Sequence, residues 1–369
     1  MTGVQTCALP ISRGTIDQPI AIDAVKKFIA EQDLNAETRF IPEVNICSNV
    51  QDRWEEKIAI IGGGPAGLSC AYYLATMGYK PTVFEKNEEP GSMLRYGIPS
   101  YKLEKDVIQA EIDIMKEIGV DIKCGVEVGK DVTIAGLREQ GYKGFYVAIG
   151  CQGGKLPGIP GETLPGTSTA IDFLHAANTG KVKVSGKVVV VGGGNAAIDA
   201  ARVAKRSGAS EVTMLSLETE DIMPASLEER TEAREDGVVI NPGWGPKEVL
   251  GDGKVTGIVF KKCTSVFDEN KRFAPKYDEN ELITLEADQV VFAIGQTVVL
   301  KDLLKDTKVE FFRGVYPVAD KLTYQTSEPD IFVGGDVFTG PKFAIDAIAA
   351  GKEAVPAPLR AARTHDHRP

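Results

Sequence analysis

No run of this chain approaches about 18 consecutive apolar residues, so a membrane-spanning helix is excluded. No Cys-x-x-Cys pair exists among the six cysteines, Cys7, Cys47, Cys70, Cys124, Cys151 and Cys263. That absence removes a local redox dithiol and a zinc knuckle. At this length it also argues against a disulfide scaffold and for a reducing, cytoplasmic setting, with the thiols as small buried hydrophobes. Positive charge is in deficit: 42 lysines and arginines face 52 acids, for a net charge of −10. A nucleic-acid groove or an anionic membrane surface is therefore a poor partner. Histidine is scarce, with three in all, and only His175 lies outside the final tail. A lone histidine reads as structural rather than as a general base.

What is present is a globular composition, 43% hydrophobic and 25% charged over 369 residues, enough for two or three domains. The 39 glycines exceed the usual share of roughly 7% and point to tight turns and close backbone–ligand approaches. The two ends differ from the middle. Residues 1–12, MTGVQTCALPIS, lack the basic and apolar regions of a signal peptide. Their VQTCALPI string resembles sequencing-adapter read-through and reads as a non-native peptide. Residues 356–369, PAPLRAARTHDHRP, have no helical apolar period. They read as a frameshifted tail, the alternative being a solvated native one.

Residues 17–32 read as an amphipathic helix, with Asp17 as cap, Pro19 in the first turn, and Ile20, Ile22, Val25, Phe28 and Ile29 as its stripe. A polar linker follows over 34–54. Then Lys57-Ile58-Ala59-Ile60-Ile61 is a short buried strand running into Gly62-Gly63-Gly64-Pro65-Ala66-Gly67, a helix, and a second strand, Pro81–Glu85. In such a β-turn-α-β unit the first glycine permits the turn, the second lets backbone approach a pyrophosphate, and the third lets helix pack on strand. The helix N-terminus faces the phosphates, and the terminal acid, Glu85, accepts from a ribose hydroxyl.

The pattern recurs. Lys187–Val191 is a strand, Gly192-Gly193-Gly194-Asn195-Ala196-Ala197 the turn, and a helix closes near Gly208. A further strand, Glu211–Glu218, again ends in an acid. Two dinucleotide sites in one chain imply electron movement between two cofactors. Glu218 would accept from a 2′-hydroxyl and repel a 2′-phosphate, which favours NAD(H) over NADP(H). Lys205 and Arg206 keep a phosphate contact open. A third element, Ile331–Val333 followed by Gly334-Gly335-Asp336, offers an acid for a flavin ribityl chain, and residues 341–351 read as a helix start.

Together, Gly62–Gly67, Gly192–Ala197 and Gly335-Asp336 resemble the two-dinucleotide-binding-domain flavoproteins. Met93-Leu94-Arg95-Tyr96-Gly97-Ile98-Pro99 and Met223-Pro224-Ala225 are more specific. They resemble the small (β) subunit of glutamate synthase and its relatives. Those include the flavoprotein subunit of NADH-dependent ferredoxin:NADP oxidoreductase and the amino-terminal part of dihydropyrimidine dehydrogenase. The resemblance covers roughly residues 13–355.

It implies an α/β fold of two Rossmann-like domains. A discontinuous FAD domain, 53–165 with 295–355, would carry an inserted NAD(P) domain, 166–294, after a helical remnant and linker over 13–52. By the match, Gly62, Gly64, Pro65, Ala66, Gly67, Glu85, Lys86, Met93, Leu94, Arg95, Gly97, Gly335 and Asp336 would hold FAD, with Val128, Ala148 and Gly150 on its adenine side. Gly192, Gly194, Asn195, Ala196, Ala197 and Glu218 would hold the nicotinamide nucleotide. No acid–base residue and no metal ligand are implied, because the cofactors supply the chemistry. NADH would deliver a hydride to FAD, and electrons would pass to iron–sulfur centres of a partner protein or domain. The family's own [4Fe–4S] clusters belong to an amino-terminal domain, here expected only in a full-length parent. Ser92 stands where the family has a second glycine before Met93, and Ser216-Leu217-Glu218 where NADPH users carry a Tyr-Arg-Arg-like run.

Other readings remain. One is a self-contained flavin dehydrogenase or oxidase of a small molecule, which needs a base and a substrate cavity. Another is a ferredoxin:NAD(P) oxidoreductase-type subunit, and a third a non-catalytic nucleotide-binding module. Cys151 has no partner for a catalytic thiol nearby in sequence. The charge runs at Glu228-Glu229-Arg230 and Lys301–Lys305 read as solvated helix faces.

Overall fold

The computed structural model describes residues 20–44 and 54–355, together with Ile16. The expectations for residues 1–12, the tail at 356–369, the Asp17 cap and Pro19 lie outside the described residues.

The first sheet holds β1 (Lys57–Ile61), β2 (Lys80–Glu85), β3 (Asp121–Cys124), β4 (Tyr142–Val147) and β17 (Ile331–Val333). Its order is β17-β4-β1-β2-β3, with every pair parallel. The second holds β6 (Thr167–Thr169), β7 (Lys187–Val191), β8 (Glu211–Ser216), β9 (Val239–Pro242) and β13 (Gln289–Phe292). Its order is β6-β13-β7-β8-β9, again parallel throughout. Both sheets reverse strand order beside their first glycine-terminated strand, β1 or β7. Such a switch point opens a crevice beyond the carboxyl ends of the strands.

The unbroken apolar runs follow from burial on both faces. Ile58 and Ile60 pack with Cys70, Leu74 and Ala354 on one side of the first sheet, and Ala59 and Ile61 pack with Leu137 and Leu304 on the other. Val188 and Val190 against Val189 and Val191 divide the second sheet in the same way. Crossovers are made by α2 (Pro65–Thr76), α4 (Lys105–Glu117) and α5 (Ile134–Glu139) in the first unit, with the short α3 (Met93–Tyr96) ahead of α4. In the second unit they are α6 (Ala170–Asn178), α7 (Asn195–Arg206) and α8 (Leu227–Glu235).

β5 (Gly153–Gly154) pairs antiparallel with β14 (Gln296–Thr297) where the chain passes between the two sheets and returns. An antiparallel meander, β10 (Trp244–Gly251), β11 (Val255–Phe267) and β12 (Phe273–Glu286), covers one face of the second sheet through Val249, Ile258 and Phe260. The sequence reading assigned no structure to it. A short hairpin, β15 (Phe311–Phe312) and β16 (Tyr316–Pro317), precedes β17.

Four expectations need correction. The amino-terminal helix α1 runs Ile22–Leu34 and begins after Ala21, with no side-chain cap. Its stripe is not packed into a core: Val25, Phe28 and Ile29 are exposed. The α1 region is held instead by Arg39, whose guanidinium donates to Asp33 (3.0 Å) and Glu111 (2.8 Å). β8 stops at Ser216, so Glu218 lies two residues beyond the strand. The Lys301–Lys305 run is a turn, not a helix, because Leu303 and Leu304 plug into the core there. Glu229 lies on a helix as expected, but it is ion-paired with Lys102 rather than freely solvated.

Asp336 opens a short α9 (Asp336–Thr339), and the carboxyl-terminal helix α10 spans Ala344–Ala354. α10 lies against α2, where a β-carbon on Gly351 would sit 2.2 Å from the Ala66 carbonyl oxygen. The Ser69 hydroxyl donates to the Ile348 carbonyl (2.8 Å) at the same crossing. Gly351→Val is expected to push the helices apart and lower unfolding free energy by roughly 1–3 kcal/mol. Urea unfolding measures this, and an unchanged midpoint would contradict the tight crossing.

Candidate functional site

Gly62 ends β1 with φ 108, and its N–H donates to the Phe84 carbonyl of the neighbouring strand (2.9 Å). A β-carbon there would lie 2.6 Å from the Ala148 carbonyl oxygen, and one on Gly67 would lie 2.0 Å from the Gly62 oxygen. The chain can therefore turn directly from β1 into α2 only with glycine at both places. Gly64 caps α2 and Pro65 takes its first position, where a missing N–H costs nothing. The first-turn N–H groups of α2 have no partner within the helix and suit an anion.

Glu85, at the end of β2, closes over this turn. Gly63 N–H donates to one carboxylate oxygen (2.7 Å), and Asn87 donates to the other from its backbone (2.9 Å) and its amide (2.8 Å). Burial pushes the Glu85 carboxyl above the usual range, against those donors. Gly62, Gly64, Glu85, Lys86, Val128 and Ala148 line a cavity of about 70 Å³ at this end of the crevice. Lys301 also lines it, and its ammonium reaches Glu127 at 2.7 Å.

The second turn repeats the geometry. Gly192 N–H donates to Leu215 (2.8 Å), and a β-carbon there would lie 2.4 Å from the Ala293 oxygen. Gly194 caps α7. The Glu218 carboxylate overlies Gly193, where a β-carbon would come within 2.6 Å of it. Glu85 stands in the same way over Gly63 (3.0 Å). Asn195 accepts from Ser226 N–H (3.1 Å), and Ala225 N–H donates to Gly193 (2.9 Å), so the Met223–Ala225 segment braces this turn.

Both turns open on one larger cavity of about 590 Å³. Gly64, Pro65, Ala66, Met93, Leu94, Gly97, Ala148, Gly150 and Asp336 line it from the first unit, and Gly194, Asn195 and Ala196 line it from the second. The Asp336 carboxylate accepts from Lys342 N–H (3.3 Å), and burial pushes its pKa above the usual carboxylate value. Gly67, Gly335, Gly192, Ala197 and Glu218 line neither cavity; the glycines and Ala197 serve the close packing behind it.

Arg95 is not brought to the cavity, contrary to expectation. It is 7% exposed, and its guanidinium donates to the Pro90 carbonyl (2.8 Å), Glu89 (2.9 Å) and Gln109 (2.8 Å), tying α3 to α4. Lys105 assists by donating to the Leu94 (2.9 Å) and Ile98 (2.6 Å) carbonyls, while burial and then Arg95 push its pKa down to about 8. Ser92 adopts φ 48, the conformation glycine favours, and accepts from Gln152 (2.9 Å). Cys151 is buried with its thiol directed at the Asp336 carbonyl (3.3 Å), and burial lifts its pKa to about 12, which disfavours the thiolate. His175 stacks on Tyr96 at 4.9 Å, a structural role.

Lys205 and Arg206 do not serve the second turn. They close α7, roughly 16 Å along the helix from Gly194. Lys205 donates to Ser210 (3.1 Å), and Arg206 is paired with Asp236 (2.8 and 2.9 Å). The cavity residues missed from sequence include Asp199, Gln152 and Phe292. Asp199 could have been found one turn into α7, on the face of Asn195.

Two doubly wound units with glycine turns on a common cavity define a two-domain dinucleotide-dependent oxidoreductase. The chain belongs to the pyridine nucleotide-disulphide oxidoreductase family, whose model matches residues 56–351. It is 34% identical to the β subunit of the NADP(+)-dependent formate dehydrogenase of Moorella thermoacetica, over 95% of this chain and 52% of that one. It is 36% identical to the small chain of glutamate synthase [NADPH] from Halomonas elongata, over 81% of this chain and 66% of that one. It is 33% identical to subunit PreT of the NAD-dependent dihydropyrimidine dehydrogenase of Salmonella typhimurium, over 95% and 78%. The chain thus spans about half to three quarters of these relatives' length. Among solved structures, Mycobacterium tuberculosis FprA in complex with NADPH superposes with a TM-score of 0.71 at 19% identity, over 84% of this chain and 85% of that one. These findings bear out the glutamate synthase small-subunit resemblance and the fold, and binding of FAD and NAD(P) fits the family.

Glu85→Ala would leave the Gly63 and Asn87 donors without their acceptor. It is expected to lower unfolding free energy by roughly 1–3 kcal/mol. Urea unfolding monitored by tryptophan fluorescence reads the effect, and a midpoint equal to wild type would remove Glu85 as the brace of the first turn.

Proposed function

We propose that this chain is an NAD(P)H-dependent flavoprotein module that takes in electrons from NADH and delivers them to the iron–sulfur centres of a partner. The observation that carries the reading is the single cavity onto which Gly64–Ala66 and Gly194–Ala196 both open. The crevice fits a dinucleotide: a β-carbon at Gly194 would meet nothing within 4 Å, so the turn leaves open space there, and the first residues of both helices line the same cavity.

The FAD domain comprises 53–165 and 295–355, and the NAD(P) domain 166–294. Gly62, Gly64, Glu85, Lys86 and Val128 hold the adenosine and pyrophosphate part of FAD. Pro65, Ala66, Met93, Leu94, Gly97 and Asp336 hold its flavin part, with Gly67 and Gly335 securing the backbone behind, and Ala148 and Gly150 stand with Val128 on the adenine side. Gly192, Gly194, Asn195, Ala196, Ala197 and Glu218 hold the nicotinamide nucleotide. FAD, when bound, supplies the chemistry, a two-electron acceptor that can release electrons singly. The protein's part is to place the two nucleotides, with the buried Phe292 ring as an apolar wall of the cavity.

Glu218 is the selector for NADH, since its carboxylate stands over Gly193 where a 2′-phosphate would meet like charge. The relatives' names include both NADPH- and NAD-dependent enzymes, so the reading rests on Glu218 alone. The partner role is supported by the same names, which are those of subunits of larger enzymes.

Anaerobic titration of the FAD-loaded chain with NADH and then NADPH tests the reading. Flavin bleaching is expected with NADH at the lower concentration, and bleaching by neither nucleotide would overturn the proposal. Glu218→Arg is expected to shift the preference toward NADPH by about tenfold, roughly 1.4 kcal/mol. An unchanged ratio of apparent dissociation constants would remove Glu218 as selector.

A further inference from the structure

Between α3 and α4 the first unit sends out a strap, residues 97–104, that lies along helices α6, α7 and α8 of the second. At its start, the Asn178 amide donates to the Tyr96 carbonyl (3.0 Å), and the Ser100 hydroxyl donates to Asn178 (3.3 Å). Further on, the Tyr101 ring packs under Arg206 (4.1 Å) and Arg202 (5.0 Å), both of which Asp236 holds. At the centre, the Lys102 ammonium sits between two carboxylates of the second unit. One is Asp199 on α7 (2.5 Å), which lines the larger cavity, and the other is Glu229 on α8. All three side chains are mostly buried, at 21%, 15% and 22% exposure.

We propose that Lys102 is a positioning residue: by bridging Asp199 and Glu229 it fixes the angle between the two units, and so holds the nicotinamide-side turn against the flavin-side cavity. The inference rests on the function proposed above and adds a residue to it that touches neither cofactor loop. The physical ground is the cost of an uncompensated buried charge. Without Lys102, two carboxylates from adjacent helices face a half-dry seam with the cation between them gone, and the seam opens to water. Burial already pushes the Asp199 carboxyl upward, with Lys102 the largest opposing influence. Domain interfaces of this kind are otherwise free to shift. The Tyr101 stack and the Asn178 bonds keep the strap attached, so loss of Lys102 changes the angle rather than unfolding the protein.

The test uses the full chain as wild type, Lys102→Met, Lys102→Arg and the charge exchange Lys102→Glu with Glu229→Lys. In anaerobic stopped flow of the FAD-loaded proteins, Lys102→Met is expected to lower the limiting rate of flavin reduction by NADH about tenfold or more. The apparent dissociation constant for NADH should move by less than about threefold. Lys102→Arg recovers most of the rate and the charge exchange, which restores only the link to position 229, recovers part of it, while flavin content stays at wild type in all three variants. In the FAD-free chain, hydrogen–deuterium exchange of Lys102→Met should rise at the strap and at the starts of α7 and α8, and nowhere else. A limiting rate and exchange pattern equal to wild type overturn the latch. So does a slower rate accompanied by a matching loss of flavin, which would mark Lys102 as ordinary scaffolding. If wild type is not reduced by NADH or NADPH yet the exchange changes appear as stated, the latch stands and the proposed function falls.

Discussion

Two glycines, Gly62 and Gly192, end their strands where a β-carbon has no room, each pressed against a carbonyl of the strand across the switch point, Ala148 or Ala293. That close approach makes the chain turn at once into a helix whose N-terminus faces the crevice. Everything else in the binding architecture is arranged around it. An acid at or just past the end of the next strand, Glu85 or Glu218, folds back over the middle glycine of each turn. A second glycine, Gly67, or an alanine, Ala197, lets the helix lie close to the strand. The apolar runs beneath are continuous because each sheet is covered on both faces, which leaves the carboxyl ends of the strands as the open polar edge.

The two units are joined so that these edges face each other. The β5–β14 ribbon carries the chain across and back, and the 97–104 strap lies along the helices of the second unit. Arg95 and Lys105 belong to this framework. They bind α3 to α4 and so hold Met93, Leu94 and Gly97 at the wall of the larger cavity, although neither cation reaches the cavity itself. A motif residue can thus matter to a site through the backbone it fixes.

The β-turn-α-β units were legible in the sequence because their determinants are local: apolar strands, glycine at fixed spacing, an acid at the next strand's end. The β10–β12 meander was not, since β12 alternates only weakly and is exposed along much of its length. The fate of Arg95 was not legible either, because its partner Gln109 meets it only after α4 folds back, while Glu89 and Pro90 take it from the turn before α3. Lys301 reads as a charged helix face in one dimension. In the fold it sits in a turn at the narrow cavity, because Leu303 and Leu304 are drawn into the core. Lys102 carried no sequence signal at all, its two carboxylate partners lying 97 and 127 residues further on. Contacts between units are set by the assembled fold, and local pattern has no access to them.

The central claim is that both glycine turns serve one cavity, the first for the flavin and the second for the nicotinamide. A crystal structure of the chain with FAD and NAD(+) bound tests it most directly. The account predicts both ring systems in the cavity between Gly64 and Gly194, with the FAD ribityl chain beside Asp336. A flavin ring outside that cavity, or a nicotinamide nucleotide bound away from Gly192–Ala197, would contradict it.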